Sequence, residues 1–307
     1  MIIGTFRTID CRQSADDHWD MLLAPRRKVM GDLAGRTFLV TGGNTGIGLA
    51  TAKDFARRGG RVYLACRSQE KGRAAVAGIV AETGNDAVGL LPLDLADLAS
   101  VRACADAFLA LGEPLHVLVN NAGVGGARGL TADGFERTFG INHLGHFALT
   151  TALLDHLAAS GPARVVTVSS EAHHQVTDVD FEALRRPTRS LTGLREYAVS
   201  KLCNVLFTQE LARRADGRGV TAYALHPGVV ASDIWRRVPW PLRPLMKRRM
   251  LSTDQGARTS IYCATAPELA GKSGRYYDNC REREPSPAAT EELGHLLWKH
   301  SETWATL

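Results

Sequence analysis

The first thirty residues, MIIGTFRTIDCRQSADDHWDMLLAPRRKVM, contain no long apolar run. A membrane span needs about 20 apolar residues in a row and a secretory signal needs a shorter apolar core. Neither is expected here, and the protein is expected to lie in the cytoplasm without a transmembrane segment. The six cysteines (Cys11, Cys66, Cys104, Cys203, Cys263, Cys280) form no C-x-x-C pair and no metal-ligand spacing. A disulfide framework and a structural metal are therefore not expected, and the thiols read as reduced. Internal repeats and low-complexity segments are missing, which excludes solenoids. The net charge of +5 is spread among acidic residues, and without a recognition motif it points to no nucleic acid.

What is present is enough chain for one full core. At 307 residues, nothing in the composition demands a second domain. Short β-rich runs recur between helical stretches: RTFLV, RVYLAC, AVGLLPLD, LHVLVNNA, RVVTVSS and VTAYALHPG. That alternation predicts a single-domain α/β fold of the Rossmann type, a doubly wound parallel sheet with helices on both faces. We expect residues 35–307 to form this domain, preceded by an extension over residues 1–34.

After the first run comes TGGNTGIG (residues 41–48), then LATAKDFARRGG with apolar positions at helical spacing. Strand, glycine turn and helix in that order make a dinucleotide site. Gly42 permits the tight turn, Gly46 lets backbone approach a pyrophosphate, and Gly48 lets the helix pack closely. Asn44, Thr45 and Ile47 complete the turn, and the helix N-terminus offers N–H groups to the phosphates.

Far downstream, Tyr197 and Lys201 stand four residues apart in REYAVSKLCNVLF. On a helix they share a face, so phenol and ammonium can reach one site. A nearby cation is expected to lower the tyrosine pKa toward the working range of an acid–base catalyst.

The T-G-x-x-x-G-x-G spacing resembles the short-chain dehydrogenase/reductases, and the resemblance runs from about residue 35 to about 279. It includes Asp94–Leu95, NNAG at residues 120–123, INHLGHFAL from Ile141, VSS at 168–170, Y-x-x-x-K and HPGVV from His226. Several of these runs look most like the retinol-dehydrogenase-like and protochlorophyllide-reductase-like branch. The resemblance implies four catalytic residues. Tyr197 exchanges a proton with the substrate oxygen; Lys201 lowers its pKa and binds the nicotinamide ribose. Ser170 holds the carbonyl oxygen, and Asn142 places a water that links Lys201 to solvent. Ser169 and Ser170 alternate across the strand, so only one faces the site; the branch's pattern selects Ser170. The long run from Glu171 to Tyr197 implies an extra loop. His173 and His174 read there as loop polar groups rather than metal ligands, and Glu171 either faces solvent or narrows substrate choice.

For the cofactor, the resemblance implies adenine contacts from Asp94 and Leu95 and ribose contacts from the NNAG run, with Asn120, Asn121, Ala122 and Gly123 as candidates. Pro227, Gly228, Val230 and Ser232 match the segment that holds the nicotinamide amide. At the end of the second strand, Cys66 stands where relatives that use NAD carry Asp, and Arg67 follows. An acid there would repel a 2′-phosphate, whereas an arginine fork binds one. NADP(H) is the expected cofactor.

IWRRVPWPLRPLMKRRML, within a lid at about 233–251, mixes Trp235, Trp240, Leu242, Leu245 and Met246 with six basic residues. It suits a small-molecule substrate with a bulky hydrophobic carbonyl or alcohol, or docking to an anionic carrier or membrane surface. Carbonyl reduction or alcohol oxidation leads. Reduction of a C=C bond, or an NADP(H)-binding regulatory protein without turnover, are the alternatives. Family members of this length are often dimers or tetramers, which leaves a homo-oligomer open.

Overall fold

The computed structural model describes residues 31–229 and 251–306. Its strands are β1 (Thr37–Thr41), β2 (Arg61–Cys66), β3 (Val88–Pro92), β4 (Val117–Asn120), β5 (Ala163–Val168), β6 (Val220–His226), β7 (Arg275–Asp278) and β8 (Arg281–Arg283). The helices are α1 (Gly46–Arg57), α2 (Gln69–Thr83), α3 (Leu98–Leu109), α4 (Gly145–Ala159), α5 (Leu194–Arg214), α6 (Thr253–Thr265) and α7 (Glu291–Ala305).

The strands form one sheet in the order β3-β2-β1-β4-β5-β6-β7-β8. Every pairing is parallel except β7 with β8. The expected doubly wound α/β fold is present. Strand order reverses direction between β1 and β4, and in such sheets ligands bind outside the carboxyl ends of the strands at that point.

Strands buried on both faces read as continuous apolar runs, and alternation sends their side chains to two cores. Leu39, Leu118 and Val165 face α3, α4 and α5. Val40, Val119 and Val166 face α1, α2 and α6. On the first side, α7 adds an aromatic layer. Trp298 packs edge-on to Phe147 of α4 (centroids 4.9 Å apart) and stacks with Phe207 of α5 (5.9 Å). The sheet continues past the six strands legible in the sequence through β7 and β8, and the wholly exposed β8 forms its charged edge.

Candidate active site at the carboxyl ends of the strands

The turn after β1 begins with Thr41, whose buried hydroxyl ties two strand ends together. It accepts N–H bonds from Asn121 (2.9 Å) and Ala122 (3.0 Å) and lies 2.9 Å from His146 Nε2. Asn121 Nδ2 donates to the Thr41 carbonyl at 2.8 Å. Gly42 and Gly46 take positive φ, +65° and +58°. A Cβ on Gly48 would sit 2.6 Å from the Gly42 carbonyl oxygen and 2.4 Å from Asn121 Nδ2, so only glycine lets α1 start this close to β4. Thr45 precedes α1 with extended backbone and no side-chain capping bond, and the first turn carries no acid. First-turn N–H groups left without a side-chain acceptor suit an anionic group. A pyrophosphate fits this cradle.

Thr41→Val would remove the acceptor of the Ala122 N–H and one of two acceptors of the Asn121 N–H, which also reaches the Val119 carbonyl at 3.0 Å. At about 1–3 kcal/mol for an unsatisfied group, urea unfolding should show a loss of about 2 kcal/mol, and Thr41→Ser should stay near wild type. An equally stable valine variant would show that the hydroxyl is not needed.

Asn142 lies in a π-helical turn (Gly140–Leu144) that runs straight into α4. Such turns concentrate at functional sites because the extra residue re-aims side chains. The Asn142 amide is pinned on three sides. Its Oδ1 accepts from Val124 N (2.8 Å); Nδ2 donates to Val124 O and to Ser200 Oγ, both at 3.0 Å. Ser200 Oγ in turn donates to the Tyr197 carbonyl at 2.7 Å. Both amide protons are therefore committed to protein partners.

The histidines of NHLGHF point elsewhere. His146 places Nδ1 at 2.9 Å from the Asn142 carbonyl and Nε2 at Thr41, bridging the glycine turn and the π-turn. Burial pushes its pKa down to about 4. His143 faces α7 through Ser301 (3.0 Å) among Phe139, Phe147 and Phe207. Burial holds it near 3. His146, Thr41 and Ser200 are supporting residues that the motif reading passed over. Their polar types inside otherwise apolar segments were the available signal.

Ser170 lies two residues past the end of β5 and caps the turn that follows. Ser169 Oγ is buried and donates to the Lys201 carbonyl at 2.7 Å, holding α5 to the strand. Ser170 Oγ accepts from Ala172 N (3.3 Å) and lies beside the Tyr197 phenol, whose pKa it lowers. Tyr197 and Lys201 share one face of α5, with Nζ 5.6 Å from the phenol ring centroid. The structure thus brings Asn142, Ser170, Tyr197 and Lys201 together. An ideal Cβ on Gly123 would fall 3.4 Å from Asn142 Oδ1 and 3.6 Å from Lys201 Nζ, which places the glycine beside both groups.

The expected lowering of the Tyr197 pKa is corrected by the structure. Burial raises it above the ordinary tyrosine value, and the Ser170 hydrogen bond only partly offsets this. Lys201 is buried as well, donates to the Val168 carbonyl at 2.9 Å, and is pushed down to about 7 by desolvation. A lysine held that low carries only part of its charge at neutral pH.

Cys66 is buried at the end of β2, with its Sγ 3.4 Å from the Ser68 carbonyl. Arg67 is 68% exposed and lies 3.9 Å from Asp94, so its fork points into solvent beside the acid. Asp94 Oδ1 accepts from Ala96 N at 3.0 Å, and Leu95 is buried against Gly145. Asn120 departs from its expected ribose contact. Its side chain turns into the core and donates to Thr150 Oγ1 at 2.9 Å, because alternation sends it opposite to Asn121. Pro227 follows β6; Gly228 has φ +83°, and a Cβ there would meet Leu251 at 2.4 Å. Val230, Ser232 and the lid, apart from Leu251, lie outside the described residues, as does the extension up to residue 30. Glu171 is exposed, 3.9 Å from His174. Among the described residues no cluster of three potential metal ligands occurs.

The short chain dehydrogenase family profile matches residues 36–181. Human retinol dehydrogenase 12 is 46% identical over 88% of this chain and 86% of its own length. A crystal structure of a protein from Mycobacterium paratuberculosis is similar at a TM-score of 0.71 and 34% identity, covering 90% of this chain and 96% of that one. The Pseudomonas aeruginosa RhlG/NADP active-site complex is similar at a TM-score of 0.63 and 26% identity, covering 80% and 95%.

Proposed function

The chain belongs to the short-chain dehydrogenase/reductase family, and on that footing we propose that it is an NADP(H)-dependent oxidoreductase acting on a carbonyl or alcohol. The observation that carries this reading is the meeting of the Tyr197 phenol, the Ser170 hydroxyl, Lys201 and Asn142 beside the uncapped start of α1. When bound, the nicotinamide supplies or accepts the hydride. The chain's own residues handle the proton and the oxygen. Tyr197 holds its proton at neutral pH and can deliver it to the oxygen of a substrate carbonyl. Ser170, beside the same phenol, donates to that oxygen as its negative charge develops. Lys201 lies on the same helix face and stabilises the phenolate left behind.

Support for NADP(H) over NAD(H) comes from a neutral, buried Cys66 where an acid would repel phosphate, and from the exposed Arg67 fork. The RhlG complex, with NADP at its active site, is consistent with it. Support for a bulky hydrophobic substrate comes from the tryptophans and leucines at 235–246 and from the retinol for which the human relative is named. We also place the protein in the cytoplasm. No helix among the described residues is long and apolar enough to cross a membrane. Burial pushes the Cys104 thiol up to about 12, as suits an unreactive reduced cysteine. Recovery of the native protein in a membrane pellet after cell fractionation would overturn that placement.

The cofactor assignment is tested by titrating NADPH and NADH against wild type and Arg67→Asp. Replacing a phosphate-binding fork with an acid should weaken NADPH at least about 30-fold and leave NADH within about threefold. Equal losses for both cofactors would remove the role given to Arg67. Binding of neither by wild type would sink the oxidoreductase reading.

A further inference from the structure

His173 is fully buried in the turn that follows Ser170, and both of its ring nitrogens are engaged. Nδ1 lies 2.7 Å from the Ser170 carbonyl oxygen, which the His173 backbone N–H also reaches at 3.1 Å. On the far side, the Ser286 N–H points at Nε2 across 3.0 Å. A carbonyl can only accept, so Nδ1 carries the hydrogen; an N–H can only donate, so Nε2 is bare. The two contacts therefore fix one neutral tautomer, and neither nitrogen is left to ligate a metal. The ring is clamped between Tyr276 of β7 (centroids 4.8 Å apart) and His174 (3.9 Å). Burial holds its pKa near 4, in keeping with the neutral form.

We infer that His173 is the positioning residue of Ser170, and that through it the segment between β8 and α7 sets the orientation of the serine hydroxyl. The inference rests on the proposed role of Ser170 in holding the substrate oxygen. Ser170 is the last extended residue before the turn, with φ −165° and ψ 153°. Its Oγ caps that turn at Ala172 N while meeting the Tyr197 phenol. Rotation of the Ser170 peptide would swing Oγ away from the phenol. The imidazole opposes that rotation by gripping the carbonyl, and it is itself braced by a backbone N–H more than a hundred residues downstream. This braces the serine against an element that carries none of the four catalytic candidates.

The test compares His173→Asn with His173→Leu in the full chain. Asparagine places an amide N–H near the Nδ1 position, whereas leucine fills the space without a donor. His173→Leu should lower kcat about 30- to 100-fold, the effect of displacing a reacting group by about an ångström. NADPH affinity should stay within about twofold of wild type, and His173→Asn should recover at least about a third of the lost rate constant. A purely structural role would lower melting temperature in both variants and leave kcat per folded molecule unchanged; that result overturns the inference. Nitrogen NMR of the wild type should show a neutral ring protonated at Nδ1, and protonation at Nε2 would overturn it equally. Should wild type turn over no carbonyl or alcohol, the oxidoreductase reading fails by itself. Hydrogen exchange at the Ala172 amide, which Ser170 Oγ accepts, then decides whether His173 positions the serine. About tenfold faster exchange in His173→Leu, restored in His173→Asn, supports the inference; equal exchange in all three proteins overturns it.

Discussion

Tyr197→Phe should lower kcat for carbonyl reduction by about a thousandfold, within the range that a positioned proton donor supplies. NADPH affinity should stay within about twofold, since the substitution removes one hydroxyl and keeps the ring that lies beside Lys201. The reason for so large a loss is that the phenol is the one group in the cluster that carries a transferable proton across the neutral range. Burial lifts its pKa above the ordinary value, so it does not ionise as pH rises from 6 to 9. Ser170 can hydrogen-bond an oxygen but has no means of giving up its proton there. Single-turnover kinetics with NADPH and a bulky aromatic ketone would check this. A variant within tenfold of wild type would show that the proton comes from elsewhere, and Tyr197 would have to be struck from the catalytic set.

The fold was legible because strands buried on both faces leave a plain record. RVYLAC matches β2 residue for residue, and VTAYALHPG contains all of β6. By contrast RYYD and RER carry little apolar pattern. They pair with each other at the end of the sheet, where β8 is exposed and neighbours rather than composition decide whether a strand forms. At the site, motif order identified the residues that meet but not what holds them. Ser169 and Ser170 illustrate the limit. Alternation said that only one faces the site, and the structure gives the other a partner in the Lys201 carbonyl. His146 and His173 sit among apolar or loop residues, and each spends Nδ1 on a backbone carbonyl of a catalytic candidate, Asn142 and Ser170. Contacts between side chain and backbone across 4 or 3 residues leave no periodic trace in sequence. The pKa of Tyr197 was misjudged for a related reason. Spacing shows that a lysine is near, but only burial shows that the phenol is pushed up and the lysine pushed down to about 7.

Lys201→Met should abolish most turnover and make the protein more stable. Loss of the cation removes what stabilises the phenolate, so kcat should fall at least about a hundredfold. The stability gain follows from the cost of burying an ammonium. A free lysine keeps its proton to a pH of about 10.4, whereas the folded protein releases it near 7. Between those values the unfolded chain binds more protons, so wild-type stability should rise with pH across that window. Below pH 7 both states are charged and the full cost of the buried cation is present, up to about 5 kcal/mol if desolvation accounts for all of it. Methionine avoids that cost and fills the space of the lysine stem; the Val168 carbonyl keeps a donor in Asn204 Nδ2 at 3.1 Å. The variant should therefore melt about 4 °C or more above wild type at pH 6, with the difference shrinking steadily toward pH 10. For wild type, kcat/KM for reduction should decline above an apparent pKa near 7 as the free enzyme loses the Lys201 proton. A variant that is less stable by the same margin at pH 6 and pH 9 would show that Lys201 bears no buried charge. The site would then need another source for the field that supports the phenolate.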